Sequence, residues 1–237
     1  MPPMYHGGGG LAGALAARMN APVDRASSVR ISEIYASIQG ESTHVGKPCV
    51  FVRLTGCNLR CSWCDSTFTF TGGAWRDVDD VVAEAHALGI HTVEVTGGEP
   101  LVQRGAIGLL ERLVALGHEV LLETSGSRPI DAVPPEVHVI LDLKPPDSGE
   151  ERSNLWSNLP LLRAKDEVKI VIASRRDYEW ARDVVRGRAW PCPVLLSPAW
   201  GHVGLRDLAA WILEDRLDVR YQLQLHKVVW GADAQGV

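Results

Sequence analysis

The chain has 237 residues, of which 46% are hydrophobic and 22% charged, and a net charge of −5; this suits one substantial globular domain and is short for two. The acidic balance argues against nonspecific nucleic-acid binding, which needs a basic surface, and no apolar run approaches the ~20 residues of a membrane span. Five cysteines, three of them within eight residues, point to the reducing cytoplasm rather than to a disulfide scaffold.

Residues 1–28 carry Gly7 to Gly10, an Ala-rich piece and Pro22. They lack the basic start and long apolar core of a secretory signal. They are expected to be a disordered leader, or the product of a start assigned too early with Met19 as the true start. One domain is expected over 29–230, followed by a tail at 231–237. Within the domain, short β-branched runs alternate with amphipathic segments. Strands are expected at 30–37 and 49–54. A helix follows at 77–88, where Val78, Val81, Val82, Ala85 and Leu88 share a face, Asp77 caps the start and Gly89 ends it. Then come strand 91–96, helix 104–116, strands 119–123 and 137–143, helix 154–163, strand 167–172, helix 177–188, strand 194–196, helix 205–215 and strand 219–225. Strand-helix alternation implies parallel strands joined by right-handed crossovers. The units are too few for a full eight-fold barrel, so the expected fold is α/β, an incomplete and laterally open (β/α) barrel.

In such a fold reactive groups collect where strands end and βα loops begin. Five segments fall there: the cysteine loop after Leu54, Thr96-Gly97-Gly98-Glu99-Pro100, Glu123-Thr124-Ser125-Gly126, Asp142-Leu143-Lys144, and Ser197-Pro198-Ala199-Trp200. The loop reads Cys57-Asn-Leu-Arg-Cys61-Ser-Trp63-Cys64-Asp65, a C-x3-C-x2-C spacing with no fourth cysteine nearby. An ordinary iron-sulfur cluster takes four thiolates and a closed zinc site takes four ligands; three ligands leave one iron open. Cys49 and Cys192 lie beside prolines in apolar segments and read as structural. Gly97 and Gly98 lack a β-carbon, so the backbone there can approach a ligand closely. Arg53 interrupts an apolar strand, and a buried cation needs a partner.

The cysteine loop, with an aromatic residue before its last cysteine, resembles that of radical S-adenosylmethionine (SAM) enzymes. The resemblance implies a [4Fe-4S] cluster on Cys57, Cys61 and Cys64. SAM would occupy the open iron, and its reductive cleavage would give a radical that takes a hydrogen atom from the substrate. A finer resemblance rests on Ile38-Gln39-Gly40-Glu41, Arg53 to Cys61, Trp63-Cys64-Asp65-Ser66, and Gln224-Leu225-His226-Lys227. From about residue 30 to 230 the chain is similar to the 7-carboxy-7-deazaguanine synthase family of queuosine and deazapurine biosynthesis. That family implies a carbon-nitrogen lyase reaction: Mg-dependent ring contraction of 6-carboxy-5,6,7,8-tetrahydropterin with release of ammonia. By the same resemblance Ser66 would ligate Mg2+. Ile38, Gln39, Gly40, Glu41, Arg53, Thr96, Glu123 and His226 would contact the pterin. Trp63, Asp65, Gly98, Glu99, Asp142, Leu143, Lys144 and Ser197 would contact SAM. An electron donor such as flavodoxin or ferredoxin and a homodimer are further implications, with no nucleic-acid or membrane partner. The chain departs from the family pattern at Asp142-Leu143, where Ser-Pro is common, at Leu225, and in the tail after Trp230. The competing readings are a glycyl-radical activating enzyme and a non-catalytic iron-sulfur or zinc-binding module.

Overall fold

The computed structural model describes residues 24–237, so most of the expected leader lies outside the described residues. Strands β1 (Ser28–Ile38) and β2 (Pro48–Leu54) pair antiparallel, and β3 (Ala74–Asp77) pairs antiparallel with the other edge of β1. From β2 the sheet runs parallel through β4 (Thr92–Gly97), β5 (Glu119–Thr124), β6 (His138–Leu143), β7 (Glu167–Ile172), β8 (Val194–Pro198) and β9 (Arg220–Tyr221). The end strands β3 and β9 do not meet, so the barrel is open along one side, as expected.

Helices α1 (Val78–Ala87), α2 (Gly105–Ala115), α3 (Arg175–Arg186) and α4 (Leu205–Asp215) follow β3, β4, β7 and β8, and α5 (Leu225–Trp230) closes the series. Asp77 caps α1 by accepting from Asp79 N at 2.9 Å, and Ser174 caps α3 by accepting from Asp177 N at 3.1 Å. Alternate residues of a strand point to opposite faces, and here the two faces differ in chemistry. One parity, including Val50, Val52 and Leu54, Val93 and Val95, and Val168, Ile170 and Ile172, packs with Val81, Leu109, Leu110, Tyr178 and Leu208 of the helices into one apolar cluster. Each such fully buried side chain contributes roughly 1.5–3 kcal/mol. The other parity includes Arg53, Glu94, Thr96, Glu123, Asp142 and Lys169, and it lines a cleft.

Two expected elements are corrected. The helix at 154–163 is instead a 3-10 turn at Trp156–Leu161 with Pro160 inside it. Proline has no N–H to donate, and the flanking amides are used elsewhere: Asn154 exchanges 2.8 Å bonds with the Lys144 backbone, and Asn158 donates to Gly126 O and Arg128 O. The last strand shortens from 219–225 to Arg220–Tyr221, and the chain then turns into α5. Gln222 N still donates to Leu196 O at 2.9 Å, but the Gln222 and Gln224 side chains there reach Ser42 and Glu41.

Candidate active site

Cys57, Cys61 and Cys64 are free, half-buried thiols at the mouth of the cleft. Their loop is tied to two neighbours. Glu99 N donates to Gly56 O at 2.9 Å and Gly98 N to Leu54 O at 3.2 Å, while Ser62 N donates to Ser148 O at 3.0 Å. A Cβ on Gly98 would overlap Gly56 O and approach Cys57 Cβ to 2.7 Å, and Gly97 has φ 143°. The glycine pair is therefore required by the packing of β4 against the cysteine loop, a reason the sequence reading did not supply. Burial raises all three thiols above the usual cysteine value, Cys61 to about 11, and Lys144 works against that rise. Binding a metal there releases protons.

Below the thiols the cleft encloses about 440 Å³, within the range of small-molecule sites. Its wall is an ionic network. Lys169, 5% exposed, pairs with Glu41 at 2.7 Å, with Glu123, and more distantly with Asp142 at 3.8 Å. Burial opposes the Lys169 charge, but Glu123, Glu41 and Asp142 outweigh it and hold its pKa well above the usual lysine value. Burial would raise Glu123, yet Lys169 outweighs that and depresses it to about 2. Thr96 Oγ1 donates to Glu123 Oε2 at 2.9 Å. Glu94, 2% exposed, accepts from Gln39 Nε2; burial, reinforced by the Glu123 charge, pushes its pKa well above the carboxylate range. Arg53 is not an open fork. Its Nε donates to Glu33 Oε1 at 2.7 Å and its Nη2 to Tyr35 Oη at 2.8 Å, leaving part of its five-donor guanidinium for the cleft. Opposite, the His226 ring lies against Gly40, where a Cβ would overlap it, and burial lowers its pKa. Lys227 holds Asp65 at 2.6 Å and, against the effect of burial, depresses it to about 2. Ser66 Oγ donates to the same carboxylate at 3.0 Å.

Every expected pterin contact lines this cleft, as do the three cysteines, Ser66, Trp63, Asp65, Gly98, Asp142 and Lys144. Three expected SAM contacts do not. The Glu99 carboxylate is buried against Leu101 N, Thr124 Oγ1 and Ser125 N, where it holds two rim loops together. Leu143 points into the apolar core. Ser197 is buried, and its Oγ has no partner among the described residues. The sequence reading missed Glu94 and Lys169, and it named Lys227 in the Gln224 to Lys227 stretch without giving it a role. Glu94 and Lys169 carried a usable signal, an ionisable residue alternating with aliphatics in Val93-Glu94-Val95 and Val168-Lys169-Ile170. The tail 231–237 also lines the cleft mouth.

An open half-barrel with three unpaired thiols at the C-terminal ends of its strands defines a radical SAM enzyme, and residues 51–143 match the family described as the radical SAM superfamily. Over 226 residues the chain is 48% identical to a 7-carboxy-7-deazaguanine synthase of Koribacter versatilis, covering 88% of this chain and 100% of that one. It is 45% identical over 214 residues to the synthase of Chlorobaculum tepidum, covering 88% and 97%. The crystal structure of QueE from Escherichia coli has the same fold at 24% identity, with a TM-score of 0.68 over 84% of this chain and 95% of that one. The chain belongs to the 7-carboxy-7-deazaguanine synthases. The readings as a glycyl-radical activating enzyme and as a non-catalytic module are set aside by those relatives.

Proposed function

We propose that this cleft binds 6-carboxy-5,6,7,8-tetrahydropterin, SAM and Mg2+ together and converts the pterin to 7-carboxy-7-deazaguanine with release of ammonia, as a step toward queuosine. The observation that carries the assignment of roles is the cleft wall itself: a largely buried, ion-paired set of hydrogen-bonding side chains in the same cleft as three open thiols.

Superfamily membership implies a [4Fe-4S] cluster and SAM, and the donor set fits both. Three thiols without disulfide partners face one cleft, and Asp142 Oδ1 is a buried acceptor without a partner, suited to an ammonium or hydroxyl donor. When bound, cluster and SAM supply a carbon radical able to take hydrogen from an unactivated position. Cys57, Cys61 and Cys64 would hold the cluster, and Lys144, paired with Asp142 at 2.8 Å, places a cation beside it. Trp63, Gly98 and Asp142 are the SAM contacts we retain.

Toward the substrate, Gln39, Glu41 and Glu123 offer amide and carboxylate partners for the guanine-like edge of a pterin. Glu94, its carboxyl pKa raised by burial, accepts from the Gln39 amide and fixes it. Arg53, with N–H donors remaining beyond its Glu33 and Tyr35 contacts, can bond the substrate carboxylate. Neutral His226 covers the ring over Gly40. Ser66, oriented by Asp65, would hold Mg2+, which prefers oxygen ligands and completes its shell with water or substrate oxygens. A flavodoxin or ferredoxin as electron donor, a homodimer and a cytoplasmic location belong to the same proposal. Among the described residues no helix is long and apolar enough to cross a membrane. Anaerobic incubation of the reconstituted enzyme with the tetrahydropterin, SAM, Mg2+ and a reductant should yield a product lighter by one ammonia. Reductive SAM cleavage with the pterin left unchanged would overturn the substrate assignment and leave the radical chemistry standing.

A further inference from the structure

The opposite end of the half-barrel holds a second group of ligand-type side chains. His138 and Glu167 are the first residues of β6 and β7. They share the parity of Asp142 and Lys169, so they lie on the concave face beneath the cleft. Segment 39–47, which joins β1 to β2, crosses this floor and brings in His44. One ligand atom from each of His44, His138 and Glu167 lies within 4.8 Å of the other two. His138 Nε2 is 2.8 Å from Glu167 Oε1, and the two imidazoles meet edge-on with centroids 4.6 Å apart.

Two observations separate this group from a chance cluster. First, His44 Nδ1 is buried and has no hydrogen-bond partner among the described residues, which is uncommon for a buried polar atom. Second, outer partners already orient the group. His44 Nε2 is 3.3 Å from Glu119 Oε1, and Glu119 is anchored by Lys47 Nζ at 2.8 Å and Thr92 Oγ1 at 2.5 Å. Glu167 Oε2 accepts from Thr43 N at 2.9 Å. A carboxylate behind one imidazole nitrogen fixes the proton there and leaves the other nitrogen free to ligate, the arrangement found behind metal-bound histidines.

We propose that His44, His138 and Glu167 bind one divalent ion of the zinc class, with water in the fourth position. Two imidazoles and a carboxylate suit zinc and do not suit magnesium, which favours an oxygen shell. Metal bonds of about 2.0–2.2 Å set tetrahedral donors roughly 3.3–3.6 Å apart, so His138 and Glu167 open from 2.8 Å while the wider separations, up to 4.8 Å, close by roughly an ångström. The ion ties segment 39–47 to β6 and β7. Because Gln39, Gly40 and Glu41 begin that segment, it sets their position in the cleft from below. Metal binding here does not depend on the pterin assignment.

The test uses untagged holoenzyme with its cluster in place, anaerobic, in excess Mg2+ to fill oxygen sites, and dialysed against graded Zn2+. One zinc per chain is expected, with histidine nitrogen and carboxylate oxygen ligation in X-ray absorption at the zinc edge. His44→Ala should lose it. Glu119→Gln, which keeps the side-chain shape, should weaken it by about 10–100-fold, the usual effect of removing such an outer partner. Sulfur ligation, or equal zinc content in the parent, His44→Ala and Glu119→Gln, would overturn the proposal.

Discussion

Replacing Lys169 with Met removes the one cation that, among the described residues, pairs with both Glu41 and Glu123 in the cleft wall. Methionine fills a similar volume, so the effect is chiefly electrostatic. At neutral pH the orphaned carboxylates must stay charged in a buried setting or take up a proton. Protonating a glutamate of ordinary pKa, about 4.3, at pH 7 spans about 2.7 units, and at 1.36 kcal/mol per unit this costs about 3.7 kcal/mol. That agrees with the roughly 3–5 kcal/mol lost when a buried pair is broken from one side. At pH 5 the same protonation costs only about 1 kcal/mol. The direction follows from the linkage. Glu123, depressed to about 2 in the folded parent, stabilises that fold above its unfolded pKa, and this stability is lost as pH falls toward 2. Lys169, raised, contributes stability that is fully present below its unfolded pKa. Urea midpoints of the apoproteins should therefore separate widely at pH 7 and converge toward pH 5. A separation below about 1 kcal/mol at pH 7, against the 3–5 expected, or one that does not narrow with acid, would refute the ionic network.

Arg53→Ala should weaken pterin binding by one to two decades, the about 1.5–3 kcal/mol of a charge-assisted contact, and leave SAM binding much less affected; equal loss of both by calorimetry would assign Arg53 to the fold through Glu33 and Tyr35. Gly98→Ala places a methyl on Gly56 O and Cys57 Cβ, so cluster occupancy, read from absorbance and iron content, should fall while far-UV circular dichroism is kept. Ser66→Ala should raise the Mg2+ requirement and slow turnover with an unchanged cluster spectrum, and Ser66→Thr should be nearly neutral because the hydroxyl is retained; a Ser66→Ala enzyme with the parent's Mg2+ dependence removes Ser66 from that site.

The parallel strands were legible because buried parallel strands are near-continuous Val, Ile and Leu runs, as in Val120-Leu121-Leu122 and Val139-Ile140-Leu141. The cysteine loop was legible because its spacing is local. What escaped the sequence is non-local. The Asn154 and Asn158 side chains bond to backbone outside the stretch and turn an apparently helical segment into a 3-10 turn, for which Pro160 was the one local signal. Glu99 looked like a rim ligand by position, yet its carboxylate is spent on Ser125 and Thr124, reached only through the sheet. Lys169 lies 128 residues from Glu41, and only barrel curvature makes them neighbours. The polar floor at His44, His138 and Glu167 was invisible for the same reason: His138 and Glu167 begin different strands, and His44 comes from the segment between two others.

On the proposed function, three thiols and the wall beneath them perform one radical reaction on one pterin. The most direct measurement is an anaerobic time course of the reconstituted parent and of Cys61→Ala, each with 6-carboxy-5,6,7,8-tetrahydropterin, SAM, Mg2+ and reductant, following 5′-deoxyadenosine and 7-carboxy-7-deazaguanine by mass. The parent should form both and Cys61→Ala neither, since two thiolates cannot hold the cluster. Deazaguanine formation by Cys61→Ala, or none by the parent while it cleaves SAM, would rule that function out.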